Sequence, residues 1–142
     1  MDKVYVEATY KSLNKLNEEL CGDRVEIVKN DDSYFVVLSD GLGSGVKANI
    51  LSTLTSKIIS TMMFQGASIE DTVETIVHTL PVCSVRKVAY STFMILQISY
   101  DGNAYLVEFD SPGCIFVRDG RLMNIEYNYR SIAGKEIKEA HF

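Results

Sequence analysis

Between Val4 and Tyr10 the chain alternates Val4, Val6, Ala8 and Tyr10 with Tyr5, Glu7 and Thr9, the period of a half-buried strand. A polar connector, Lys11 to Leu20, follows. Two strand-like segments, Arg24 to Val28 and Tyr34 to Leu38, are separated by Asn30-Asp31-Asp32-Ser33, whose side chains favour turns by bonding their own backbone. This spacing predicts a hairpin. Ile50, Leu51, Leu54, Ile58 and Met62 then recur every three or four residues, predicting an amphipathic helix over Val46–Gln65 that buries this stripe and ends at Gly66. A second helix, Ile69–Leu80, begins at the capping-box-like Ser68-Ile69-Glu70-Asp71, carries the stripe Ile69, Val73, Ile76, Val77 and Leu80, and stops at Pro81.

From Ser91 the period returns to two. Met94, Leu96, Ile98 and Tyr100 share a face, Asp101-Gly102 turns the chain, and Ala104 to Phe109 runs back. Ser111-Pro112-Gly113 suits a type II turn, Cys114 to Arg118 reads as a strand, and Asp119-Gly120 introduces a last one, Leu122 to Tyr127. Strand, hairpin, two helices and meander, without parallel βαβ alternation, define an α+β class. The expected organisation is a single domain over 1–142.

Composition narrows the function classes. At 142 residues, with 46% hydrophobic and 23% charged residues, the chain is that of a folded globular domain that buries about 68% of its unfolded area. Nineteen acidic against fourteen scattered basic residues give a net charge of −5, which leaves no basic stripe for nucleic acid. No apolar run approaches the roughly eighteen residues of a membrane span, and no apolar signal core follows Met1. Cys21, Cys83 and Cys114 show neither CxxC nor paired His spacing, so reduced thiols in a cytoplasmic protein are expected rather than a zinc site or disulfides.

The hairpin carries the candidate chemistry. With the turn centred between Asp31 and Asp32, Asp23 falls opposite Asp40, Val25 opposite Leu38 and Ile27 opposite Val36. Carboxylates about 5 Å apart repel unless a proton or cation lies between them, and a hard divalent ion such as Mg²⁺ or Mn²⁺ takes such oxygen ligands. Two exposed strand-end aspartates are the competing reading. After Asp40, Gly41, Gly43 and Gly45 let an ion or phosphate approach the main chain, although ordinary tight-turn chemistry accounts for such a loop equally well. Val46 stands where GxGxxG requires its third glycine and where a Walker loop requires glycine before Lys47, so neither nucleotide motif is present.

Cys21-Gly22-Asp23 and Leu38-Ser39-Asp40-Gly41-Leu42-Gly43-Ser44-Gly45-Val46-Lys47-Ala48 resemble the SGD and GDGMGSGxxA elements of the SpoIIE-like branch of PPM-type metal-dependent Ser/Thr protein phosphatases. The likeness continues through the two helices, Ser91-Thr92-Phe93 and Asp110-Ser111-Pro112. It implies a PPM phosphatase-like sandwich of antiparallel sheets with flanking helices, C-terminally incomplete here. It implies Mn²⁺ or Mg²⁺, two ions in the family, held by Asp23, Asp40 and the Gly41 carbonyl, with Gly43, Ser44 and Gly45 giving the phosphoryl group room. Asp110 matches the Asp of the GDSR element, which helps hold a further metal in other branches, but Phe109 replaces its Gly and an ordinary turn aspartate competes. The implied substrate is a phosphorylated regulatory protein of the anti-sigma antagonist type, and fusion to sensory or membrane domains in a longer protein is in keeping with the family.

Two further aspartates of the family pattern have no counterpart, because no aspartate follows Asp119. Ser131-Ile132-Ala133-Gly134-Lys135 resembles the loop preceding the first missing element. The chain is therefore read as a piece of a longer phosphatase or a divergent member with a weak metal site, and a non-catalytic partner-binding or sensory module is the alternative function. His78 reads as a solvated helix position, His141 as tail, Met62, Met63 and Phe64 as core, and Cys83 and Cys114 as unreactive thiols.

Overall fold

The computed structural model describes residues 3–13, 22–41, 45–79, 92–132 and 134–142. In chain order they form β1 (Asp23–Lys29), β2 (Ser33–Asp40), α1 (Gly45–Phe64), α2 (Ile69–Thr79), β3 (Thr92–Ser99), β4 (Ala104–Phe109), β5 (Phe116–Arg118), β6 (Arg121–Met123), β7 (Asn128–Ile132) and β8 (Lys135–His141). Six strands make one antiparallel sheet in the order β1-β2-β3-β4-β8-β7, and β5 with β6 forms a separate ribbon. The α+β expectation holds.

Alternation along the strands gives the sheet two different faces. Phe35, Val37, Phe93, Ile95, Val107 and Ile137 lie against Ile59, Met63, Ile69, Val73 and Ile76 of the helices in one core. The other face carries Val25, Ile27, Val36 and Leu38, with Ile27 and Leu38 still 36% and 37% exposed. It is this second face that runs up to Asp23 and Asp40.

The first helix buries a different side from the expected stripe. Ile50 and Leu54 are half exposed, and Phe64, expected in the core, is 44% exposed, whereas Ala48, Ser52, Thr55, Ser56, Ile59 and Ser60 are buried. Small side chains let α1 lie close on β1 and β2, and Ser52, Ser56 and Ser60 satisfy their hydroxyls by donating to carbonyls three residues back. The second helix matches expectation through Ile69, Val73 and Ile76; Leu80 and Pro81 lie outside the described residues. Ser68 caps it, its Oγ accepting from Asp71 N–H at 3.1 Å, and Gly66, at φ 84°, closes α1 with its N–H on the Met63 carbonyl.

Other expectations need correction. Residues 4–10 form no strand, although Val4 N–H donates to the Tyr100 carbonyl at 2.8 Å. Gly113 does not take the left-handed φ of a type II turn; the chain bends at Asp110, with φ 49°. The ribbon is shorter than read, starting at Phe116 and ending at Met123, around Asp119 and Gly120 with φ 53° and 75°. Of the segment read as a loop, Ser131 and Ile132 end β7 and Lys135 opens β8, with Gly134 at φ 79° before it; Ala133 lies outside the described residues. His141 is not tail: it ends β8 opposite Tyr105, the rings stacked at 4.5 Å.

Candidate metal centre

The β1–β2 hairpin is set from its turn. Asn30 Oδ1 accepts from the N–H groups of Asp32 and Ser33, both at 2.9 Å, and Asn30 N–H donates to the Ser33 carbonyl. This Asx geometry fixes the register, which pairs Ile27 with Val36, Val25 with Leu38 and Asp23 with Asp40. Both aspartates are exposed at the open end of the ladder, on one face of the sheet.

Contacts from α1 hold that end in place. Ser39, fully buried beside Asp40 on β2 and opposite Arg24, donates its hydroxyl to the Ser52 carbonyl at 2.6 Å. Gly41 N–H donates to the Gly22 carbonyl at 2.8 Å, extending the ladder by one bond past Asp40. A Cβ on Gly41 would stand 1.9 Å from the carbonyl oxygen of Ala48, so only glycine lets α1 sit here. Close backbone packing therefore requires the first glycine of the loop. Gly43 and Ser44 lie outside the described residues, and Gly45 is the first residue of α1.

Asp110 is brought to the same end but not to the pair. Asp40 is opposite Thr92 and Phe93 opposite Phe109, so Asp110 follows β4 two strands away, about 10 Å by the strand spacing. Among the described residues no three His, Cys, Asp or Glu side chains group closely enough to hold a metal. The donor set fits a hard divalent cation only in part: two carboxylates and the Gly41 carbonyl against the six oxygens that Mg²⁺ takes.

Sequence reasoning missed a second polar cluster on the same sheet face. Glu108, only 2% exposed, accepts from the Cys114 thiol through Oε1 at 3.2 Å, and its Oε2 lies 3.7 Å from Lys138 Nζ. Lys138 Nζ also stands 4.1 Å from the centre of the Tyr127 ring. Burial, then the Glu108 hydrogen bond and charge, push the Cys114 thiol up to about 12; Cys83 lies outside the described residues. The available signal was Glu108 itself, a carboxylate inside the apolar run Ala104–Phe109.

On the helical face, Arg130 joins Glu70 of α2 to Glu139 of β8, and Glu139 accepts from the Tyr105 hydroxyl. Burial and then this bond raise the Tyr105 hydroxyl above its ordinary value. Hydrogen bonding to backbone at the start of α2, then the Arg130 guanidinium, hold the Glu70 carboxyl below the usual carboxylate range.

The fold has solved counterparts. The PP2C phosphatase domain, with a fragment of the regulatory domain, of the cell fate determinant SpoIIE from Bacillus subtilis superposes with a TM-score of 0.76 at 19% identity, over 93% of this chain and 40% of that one. RsbX in complex with magnesium superposes with a TM-score of 0.65 at 20% identity, over 93% of this chain and 65% of that one. A chain of the bacterial stressosome system gives 0.69 at 13% identity, over 93% and 67%. The architecture is thus that of PP2C-type phosphatase domains, and the chain spans about two fifths of the first of these structures and about two thirds of the other two. The Stage II sporulation protein E (SpoIIE) family model matches residues 30–130, and the chain belongs to that family. No curated protein sequence matches it. Among the described residues no helix is long and apolar enough to cross a membrane.

Proposed function

We propose that this domain, 1–142, serves hydrolysis of phosphoserine or phosphothreonine on a small regulatory protein of the anti-sigma antagonist type, with Asp23, Asp40 and the Gly41 carbonyl contributing to a Mg²⁺ or Mn²⁺ site. The observation that carries this reading is the direct pairing of Asp23 with Asp40 beside a glycine that α1 will not release. Bound there, such an ion would acidify water and offset charge on phosphoryl oxygens. Asp23 and Asp40 supply the negative charge, and the Ser39 to Ser52 bond keeps their strand end from fraying. Magnesium in the RsbX structure, and the likeness of this chain to a stressosome chain, support the cofactor and the regulatory setting. The free thiol of Cys114 agrees with a reducing, cytoplasmic one.

A second reading, a phosphatase-like module that binds a partner without turnover, is favoured by one observation: no third carboxylate joins the pair among the described residues. Mn²⁺-dependent hydrolysis of p-nitrophenyl phosphate by this chain and by Asp40→Asn separates the two. We expect weak turnover or none from a donor set this small; turnover that Asp40→Asn leaves unchanged removes the site assignment.

A further inference from the structure

A cavity of about 380 Å³ opens where β4 leaves the sheet, lined by Glu108, Asp110, Ser111, Tyr129, Glu136 and Lys138. Its most buried residue is Glu108, whose Oε2 accepts no hydrogen bond, and the buried Oγ of Ser111, another lining residue, likewise has no hydrogen-bond partner. Lys138 offsets one charge from 3.7 Å, beyond hydrogen-bonding distance, while Asp110 and Glu136 stand exposed at the rim. One cation against three carboxylates leaves the cavity two charges negative. Native structures seldom leave buried acceptors empty, so two in one cavity point to a missing donor.

We propose that this cavity receives a guanidinium group, carried on an arginine side chain of a partner protein. A metal ion is a poor occupant, because the carboxylates are too dispersed to meet at one point among the described residues. A planar group with five N–H donors suits dispersed acceptors, bonding Glu108 Oε2, Ser111 Oγ and a rim carboxylate at once. Tyr129, 64% exposed on the wall, offers an aromatic face on which guanidinium stacks and ammonium does so less well. The inference is independent of the metal pair.

Amide chemical shifts of the full chain, titrated with Nα-acetylarginine N-methylamide, test it. Expected are saturable shifts at residues 108–111, 129 and 136–138, a weaker response to the lysine analogue and none to uncharged citrulline. The double variant Asp110→Asn/Glu136→Gln, altered at two exposed positions, should weaken arginine binding by about tenfold, the worth of one charge-assisted bond, whatever Glu108→Gln does to folding. Equal responses to arginine and citrulline, no response at these amides, or Mg²⁺ alone saturating them in place of arginine would each overturn the proposal.

Discussion

Asp23 and Asp40 are direct partners across the β1–β2 ladder, seated on the sheet face that the helices leave uncovered. The pairing follows from the far end of the hairpin, where Asn30 accepts two backbone N–H groups and sets the register. A turn thus determines that Asp23, six residues before Lys29 at the turn end of β1, falls opposite Asp40.

The contact beneath the pair is testable by the smallest side chain. Gly41→Ala forces a Cβ to within 1.9 Å of the Ala48 carbonyl oxygen, which is backbone and has no rotamer to escape into. Overpacking of this kind costs about 1–3 kcal/mol, and in a domain of this size each kcal/mol lowers Tm by roughly 2–4 °C. Thermal unfolding should show that loss; an unchanged Tm would mean that α1 does not rest on this residue.

The buried side of α1 is checked by a pair of substitutions. Ile59→Ala, at a fully buried position, should destabilise by about 2–5 kcal/mol, while Leu54→Ala, at a half-exposed one, should stay within about 1 kcal/mol. Urea midpoints decide it. Equal losses would restore the Ile50–Leu54–Ile58 stripe as the packed face.

Cys114 is predicted to be a slow thiol. Its raised value leaves it protonated in the folded chain well past the ordinary thiol range, so in Cys21→Ser/Cys83→Ser protein it should react with iodoacetamide far more slowly at pH 8 than after unfolding. Linkage gives the sign for stability: the contribution is intact below the unfolded thiol value, about 8.5, and declines as pH rises toward the folded value of about 12. Rapid native alkylation would contradict the burial of the thiol and its Glu108 contact.

The Glu70–Arg130 pair works in the opposite direction. A lowered carboxyl contributes stability above its unfolded value, about 4.3, and loses it as pH falls through the folded value. The Tm gap between wild type and Glu70→Gln should be small at pH 7, because the pair is exposed, and should close in acid. A gap that widens in acid would remove the pair as its cause.

Legibility in the sequence followed how local each determinant is. The hairpin register was readable because Asn30 to Ser33 specify their own turn, and α2 because Ser68 caps it and its apolar residues are large. The packed face of α1 was not, since Ser52, Ser56 and Ser60 read as polar until their hydroxyls are seen bonded to their own helix. Strand β8 was missed because Lys135-Glu136-Ile137-Lys138-Glu139 looks solvated. Its place between β4 and β7 depends on pairing with residues over thirty positions away, such as Tyr105 with His141. Ser111-Pro112-Gly113 suggests a turn at its glycine, whereas the left-handed residue is Asp110, a position that aspartate tolerates. Of the site, the carboxylate pair was legible, whereas the position of Asp110 two strands away required the whole sheet.

The measurement closest to the central claim is paramagnetic broadening of backbone amides by Mn²⁺, in wild type and Asp40→Asn. The account predicts weak binding that selectively broadens the amides of Asp23, Asp40 and Gly41, and loss of that broadening in the variant. Broadening that Asp40→Asn leaves intact, or that centres elsewhere in the chain, would contradict a shared Asp23/Asp40 metal site.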